Sequence, residues 1–157
     1  MKKRWVEPDI FHCIVKNAPL ISIDIIVRNK DGKILLGLRK NRPAKGYWFV
    51  PGGRIFKGES IEEAFRIITK NELGIELNIK DATFLGVYEH FYKDNFFGDD
   101  TGTHYIVLAY DIYVDNIPIQ PDDQHEDFRW FSVEEILSSQ KVHFYCKQYF
   151  TKKHGGN

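Results

Sequence analysis

A loop–helix–loop at residues 52–75 constrains the fold of this chain more than any other segment. A short apolar strand at residues 48–50 leads into it. Ser60 is a good helix N-cap, and Glu63 three residues later completes the sequence of a capping box. Apolar residues then recur at helical spacing up to Gly74, which stands where a left-handed C-terminal cap is expected.

The segments on either side are predicted to be mostly strands. Strands are predicted at residues 21–27, 33–38, 82–90, 104–114 and 128–131, and helices near Pro8, after Ser132 and at residues 142–150. Strands that mostly pair by hairpins and are interrupted by helices predict an α+β chain or a mixed-sheet sandwich.

Composition limits the class of protein. A chain of 157 residues with 43% hydrophobic residues predicts one globular domain spanning residues 1–157. The 22 basic and 22 acidic residues balance, which argues against a nucleic-acid or membrane-surface binder. Cys13 and Cys146 are too few for a disulfide framework and are expected to be reduced, partly buried thiols. With no apolar run of membrane-spanning length, we expect a soluble, cytoplasmic protein.

Charge is unevenly placed within this neutral chain. Residues 32–58 contain no acid and seven bases, namely Lys33, Arg39, Lys40, Arg42, Lys45, Arg54 and Lys57. Such a stretch suits a small anionic ligand. A solvated basic surface would explain the composition equally well, so the motifs must decide between the two.

The spacing of Gly53, Glu59, Glu72, Gly74 and Ile75 resembles the Nudix box. That pattern is a glycine, five residues, a glutamate, seven residues, Arg-Glu, an apolar residue, any residue, Glu-Glu, any residue, a glycine and an apolar residue. Its helical carboxylates fall at i, i+3 and i+4, on one face of the helix, where they can hold several divalent cations.

This chain departs from the box at the metal-binding positions. The three carboxylate positions hold Ile68, Asn71 and Glu72, and the box arginine is Ile67. A cluster of several metal ions for attack on phosphorus is therefore not expected, whereas one Mg²⁺ needs only one or two protein carboxylates. Glu59 keeps its box position and is expected to brace the loop.

Longer segments resemble one branch of the family, the GDP-mannose mannosyl hydrolases. Residues 41–54 and 90–96 carry most of this resemblance. It implies the Nudix fold, an α/β/α sandwich with a mixed central sheet flanked by helices. It also implies Mg²⁺-dependent hydrolysis of GDP-mannose, and of GDP-glucose, at the anomeric carbon with inversion. The small-molecule partner is then a nucleotide sugar, and the protein is expected to be a homodimer.

The resemblance also assigns roles to individual residues. His125 is implied as the catalytic base. The implied ligands of one Mg²⁺, or of Mn²⁺ in its place, are the Gly52 carbonyl, Glu72 and Gln124. The residues implied to contact the substrate are Arg39, Arg54 and Tyr105 at the diphosphate and Asp24 near the sugar. His90 flanks an aromatic loop and is expected to line the pocket.

Simpler explanations remain for three of these residues. Glu72 fits a solvent-facing glutamate near a helix C-terminus, and His125 fits a surface histidine in an acidic loop. Asp24 is the lone acid in an apolar strand, and alternation alone does not decide whether it faces a pocket or outward. Two other functions also remain open. One is an ordinary Nudix pyrophosphohydrolase acting at phosphorus, and the other is a non-catalytic nucleotide-sugar binding module.

Overall fold

The computed structural model describes residues 4–115, 117 and 125–151, and the side chains of His125 and Glu126 are outside that description. Its centre is strand β1, Leu20–Arg28, in which Ile23, Ile25, Ile26 and Val27 are fully buried. A β-branched run buried on both faces suits the middle of a sheet.

Seven strands form one mixed sheet in the described part of the chain. The remaining strands are β2 (Ile34–Arg39), β3 (Trp48–Phe49), β4 (Gly52–Arg54), β5 (Ala82–Tyr92), β6 (Thr103–Tyr113) and β7 (His125–Phe131). The main order is β3-β2-β1-β6-β5, with β4 paired to β1 and β7 paired to β2. β1 and β6 run parallel, whereas β1–β2, β1–β4, β2–β7 and β5–β6 are antiparallel.

Helices cover both faces of the sheet. They are α1 (Pro8–Asn17), α2 (Ile61–Leu73), α3 (Val133–Ser138) and α4 (Phe144–Lys147), and 3₁₀ turns lie at Ile79–Asp81 and Gln148–Phe150. One core cluster joins Ile23 and Ile25 to Phe65 and Ile68 of α2. The other joins Ile26 to residues around α3 and α4, including Cys146. The predicted α/β/α sandwich with a mixed sheet is confirmed.

The N-cap and the C-cap predicted for α2 are confirmed, although Glu63 contacts the Ser60 hydroxyl and does not complete a capping box. Ser60 Oγ accepts a hydrogen bond from the Glu63 backbone N–H at 3.1 Å and lies 3.3 Å from the Glu63 carboxylate. Gly74 closes the helix at φ 79°, in the left-handed region where glycine is favoured. This fixes the loop before α2 and the helix face that follows.

Four details differ from the sequence prediction. Residues 52–54 form the short strand β4 because β1 supplies a pairing edge for them. The predicted helix at residues 142–150 is shorter, with α4 followed by a 3₁₀ turn. The β1–β6 pair is parallel and therefore not a hairpin. Cys13 is exposed, whereas Cys146 is buried. Within the described residues, no helix is both long and apolar enough to cross a membrane.

Candidate functional site

A cavity of about 830 Å³ opens where β1, β4 and α2 meet. Seven residues singled out from the sequence line it, namely Asp24, Arg39, Gly52, Arg54, Glu72, His90 and Tyr105. They come from β1, β2, β4, α2, β5 and β6, so only the folded sheet brings them together.

Asp24 lies on the cavity wall and is 8% exposed. The Tyr149 hydroxyl donates a hydrogen bond to its Oδ2. Burial raises the pKa of Asp24 to about 7, and the Tyr149 bond and the charge of Arg39 only partly oppose that rise. The strand prediction left open which way Asp24 faces. In the folded sheet Asp24 faces the main cavity, and its neighbours on the adjacent strands are Gly52 and Ala109.

Replacing Asp24 with asparagine should remove a pH-dependent loss of stability. The carboxyl titrates near 3.8 when unfolded and near 7 when folded, so the folded protein holds more protons between these values. The free energy of unfolding of the wild type should therefore fall, relative to Asp24→Asn, as pH rises from about 4 to 7. The difference should reach up to about 4 kcal/mol. Urea unfolding from pH 4 to 8 without divalent cations measures it, and parallel curves would contradict the prediction.

Aromatic side chains support Asp24 from behind. Tyr149 Oη also lies 3.4 Å from His90 Nε2, and His90 stacks on Tyr145 with ring centroids 4.3 Å apart. Burial lowers the pKa of His90 to about 3, so its imidazole is neutral at physiological pH. His143 stacks on Tyr145, and its side chain accepts a hydrogen bond from the Tyr145 backbone N–H at the start of α4. The His90 imidazole and the tyrosine hydroxyls behind Asp24 are therefore uncharged and can form hydrogen bonds.

Cationic side chains also line the main cavity. Arg39 Nε donates to the Pro43 carbonyl at 2.8 Å, which fixes its guanidinium near the loop that follows β2. The Arg54 guanidinium lies 4.0 Å from the Phe11 ring centroid and 4.6 Å from that of Phe56. Burial raises the pKa of Tyr105, so its hydroxyl stays protonated as a hydrogen-bond donor. Two cations and a neutral donor form a site for an anion.

A second, smaller cavity of about 280 Å³ adjoins the first. Its walls are largely apolar and aromatic, and include Trp5, Phe11 and Phe97. The residues that line both cavities are Arg4, Arg39, Pro43, Arg54 and Tyr105. The cationic groups therefore lie at the junction of the two compartments.

Gly52 and Glu72 form a third part of the main cavity. An added Cβ at Gly52 would lie 2.5 Å from the Ile23 carbonyl oxygen and 2.6 Å from Asp24 Oδ1, so only glycine fits there. Of the other two box positions on α2, Ile68 is 2% exposed and, like Asn71, lines the cavity. No group of three or more His, Cys, Asp or Glu side chains able to hold a metal occurs within residues 4–115, 117 and 127–151. One carboxylate and one backbone carbonyl fit a single hard cation better than a cluster of ions.

Two predicted site residues lie at the edge of the described part of the chain. Gln124 lies outside the described residues, and the side chain of His125 does too. The backbone of His125 is described. It begins β7 and pairs in register with Arg39. The first residue of β7 therefore lies directly beside a strand that lines the cavity.

Sequence reasoning missed Arg4, Tyr92 and Tyr149, of which Arg4 and Tyr92 line the cavity. Their contacts join segments distant in sequence, so no local pattern marks them. The expectation for Glu59 is confirmed, because its Oε1 accepts the Phe56 backbone N–H at 2.8 Å and its Oε2 accepts Arg4 Nε at 2.7 Å. Its carboxylate thus braces the loop before α2.

Residues 18–151 match the NUDIX domain family, a span that includes the whole sheet and α2. The chain belongs to the Nudix family. Its fold agrees with a solved Nudix-type structure, the MutT protein from Methanosarcina mazei, at a TM-score of 0.72 and 23% identity. That match covers 89% of this chain and 96% of the other.

Two curated relatives are similar in sequence. The low-salt glycan biosynthesis protein Agl8 of Haloferax volcanii is 36% identical over 126 residues, which is 80% of this chain and 79% of Agl8. An ADP-ribose pyrophosphatase of Methanocaldococcus jannaschii is 44% identical over 70 residues, which is 45% of this chain and 40% of that protein. This Nudix chain therefore resembles both a protein of glycan synthesis and a pyrophosphatase.

Proposed function

We propose that this Nudix protein hydrolyses GDP-mannose, and GDP-glucose, to GDP and free sugar by attack of water at the anomeric carbon. The single observation that carries the proposal is the composition of the α2 face. The Nudix box has three carboxylates on this helix. Here the first of these positions holds the buried Ile68, the second holds Asn71, and only the third, Glu72, is a carboxylate. One carboxylate is a poor basis for gathering several cations around a phosphorus atom, but it suffices beside a departing diphosphate.

The two adjoining cavities support a nucleotide sugar as the substrate class. Arg39, Arg54 and Tyr105 line both compartments, at their junction. A nucleoside diphosphate sugar has the matching shape, with an anionic diphosphate between two larger groups. The sugar then lies in the larger cavity near Asp24 and His90. The similarity to a glycan biosynthesis protein is consistent with this class of substrate.

The proposed reaction is a single displacement with inversion. The oxygen of a water molecule bonds to the anomeric carbon while the bond from that carbon to the β-phosphate oxygen breaks. The electron pair leaves with GDP, and the proton of the water passes to His125. Arg39, Arg54 and the Tyr105 hydroxyl stabilise the charge that develops on the leaving diphosphate.

Asp24 serves the sugar end of the site in this scheme. Its position beside Gly52 and its bond from Tyr149 hold the carboxyl group in one orientation. With a raised pKa, the group can be present both as an acid and as a carboxylate near neutral pH. A carboxyl group held in this way can orient a sugar hydroxyl by hydrogen bonding.

A divalent cation is part of the proposal, since Nudix hydrolases generally use one. Glu72 and the Gly52 carbonyl line the same cavity and fit one hard cation, with Gln124 proposed as a further ligand. When bound there, Mg²⁺, or Mn²⁺, supplies positive charge beside the leaving diphosphate. A homodimer and a cytoplasmic location remain expectations from the sequence.

Hydrolysis in ¹⁸O-labelled water tests the proposal directly. With Mg²⁺ and GDP-mannose we expect the label in free mannose and none in phosphate, because water bonds to carbon. Label in GMP or in mannose 1-phosphate would instead establish attack at phosphorus, the activity that the 44% identity to an ADP-ribose pyrophosphatase favours. ADP-ribose and GDP-glucose belong in the same panel. Tight binding without turnover of any of these substrates would identify a non-catalytic binding module.

A further inference from the structure

The helix α2 lacks the arginine that the Nudix box provides. Ile67 occupies that position, and the neighbouring Arg66 is exposed. One residue along a helix rotates the side chain by about 100°, so Arg66 does not reach the place of residue 67. Helix α2 therefore brings no arginine to the main cavity, whose described lining includes Arg4, Arg39 and Arg54.

Arg4 brings a third guanidinium to the cavity from the segment before α1. Its Nε donates to Glu59 Oε2 at 2.7 Å, and its Nη2 donates to the Arg54 carbonyl at 2.9 Å. Its guanidinium carbon also lies 4.6 Å from the centroid of the Phe56 ring. Glu59 is itself fixed by the Phe56 N–H, and its side chain is 1% exposed. Arg4 is therefore held in a defined position.

The anchoring of Arg4 still leaves donors for a ligand. A guanidinium has five N–H donors. Within the described part of the chain, its hydrogen bonds run through Nε and Nη2. The two N–H groups of Nη1 therefore remain for a phosphate oxygen. Arg4 side-chain exposure is 19%, so a bond made there would be partly shielded from water.

Arg4 and Arg54 also form a pair of like charges. Both guanidinium carbons lie 4.6 Å from the centroid of the Phe56 ring. The charge of Arg4, together with the larger effect of burial, lowers the pKa of Arg54. The Glu59 carboxylate offsets part of the repulsion between these two cations, and a multiply charged anion at the cavity would offset more of it.

We propose that Arg4 supplies the third guanidinium of the diphosphate site, beside Arg39 and Arg54. The assignment rests on the proposed function and names one more residue of the same site. In this role Arg4 binds the phosphate that leaves, whereas its bonds to Glu59 and the Arg54 carbonyl position it.

Calorimetric binding of GDP and of inorganic pyrophosphate, each with Mg²⁺, tests the assignment without turnover. Arg4→Gln should weaken both ligands by about 10- to 100-fold, because a charged hydrogen-bonding partner of the phosphate is removed. Binding of guanosine, which carries no phosphate, should be unchanged. The exposed neighbour of the lost position gives the matched control, and Arg66→Gln should bind all three ligands as the wild type does.

A further variant separates a binding role from bracing of the loop. Arg4→Lys keeps the positive charge and should recover part of the affinity. If Arg4 only braces Glu59, then Arg4→Gln will weaken guanosine as much as GDP, or leave GDP binding unchanged, and either result overturns the assignment. If the wild type binds neither GDP nor pyrophosphate, the proposed function fails with it. A different pair of results removes the Arg4 assignment alone. In that case the wild type releases sugar normally, and Arg4→Gln binds GDP as tightly as the wild type does.

Discussion

Replacing His125 with glutamine should lower kcat by about 10²–10⁴-fold while leaving the fold intact. Loss of a general base that accepts the proton of attacking water typically has an effect of this size. The backbone of His125 pairs with that of Arg39, which lines the main cavity, and the resemblance implies that His125 is the base. Steady-state release of free mannose from GDP-mannose measures the loss, and thermal unfolding checks the fold.

A second histidine provides the control for this substitution. His104 lies on β6 next to Tyr105, but its ring stacks on Phe91 at 4.4 Å between centroids. It lines neither of the two cavities. His104→Gln should therefore keep kcat within a few-fold of the wild type. Wild-type turnover in His125→Gln would remove His125 from the role of base and require another proton acceptor near the sugar.

Replacing Gly52 with alanine should have the largest effect on stability and on activity together. Its added methyl would lie 2.5 Å from the Ile23 carbonyl oxygen, a backbone atom in the middle of the sheet, and 2.6 Å from Asp24 Oδ1. Since β1 and β4 would have to separate, we expect a loss of about 3 kcal/mol in the free energy of unfolding. Displacement of the Gly52 carbonyl and of Asp24 should lower kcat/KM by about 10²-fold.

The adjacent glycine gives a matched comparison for Gly52→Ala. A Cβ at Gly53 would meet only side-chain atoms of Ile68, the nearest at 3.1 Å, and no backbone atom. Gly53→Ala should therefore cost less stability than Gly52→Ala and leave Asp24 in place. Denaturant unfolding and steady-state kinetics on both variants test this order. Equal losses would mean that the close approach of Gly52 to β1 is not what matters.

Local signals allowed much of the fold to be predicted from the sequence. Ser60 and Gly74 mark the ends of α2 because capping depends on residues within one turn of the helix. Strand β4 was not predicted, since three residues containing two glycines have little strand propensity and depend on pairing with β1. The last predicted helix is shorter, because its course depends on packing against the sheet.

The site was predicted less evenly, for the same physical reason. Asp24 and His90 could be named from the sequence, but which way Asp24 faces is set by strands on both sides of β1. Tyr149 supports Asp24 from 125 positions away, and Arg4 pairs with Glu59 from 55 positions away. Contacts at such separations depend on the assembled sheet, so no spacing rule in the sequence points to them.

The burial of Ile68 makes it difficult to restore the glutamate that the Nudix box has at this position. Ile68 is 2% exposed and packs in the same core cluster as Phe65, and the backbone of Gly53 lies against it. A glutamate at this position would put a charge at the boundary between the apolar core and the main cavity, which is costly before any cation can compensate. Restoring the box glutamate at position 68 would therefore first lower the stability of the protein, so this loss of a carboxylate is hard to reverse in evolution.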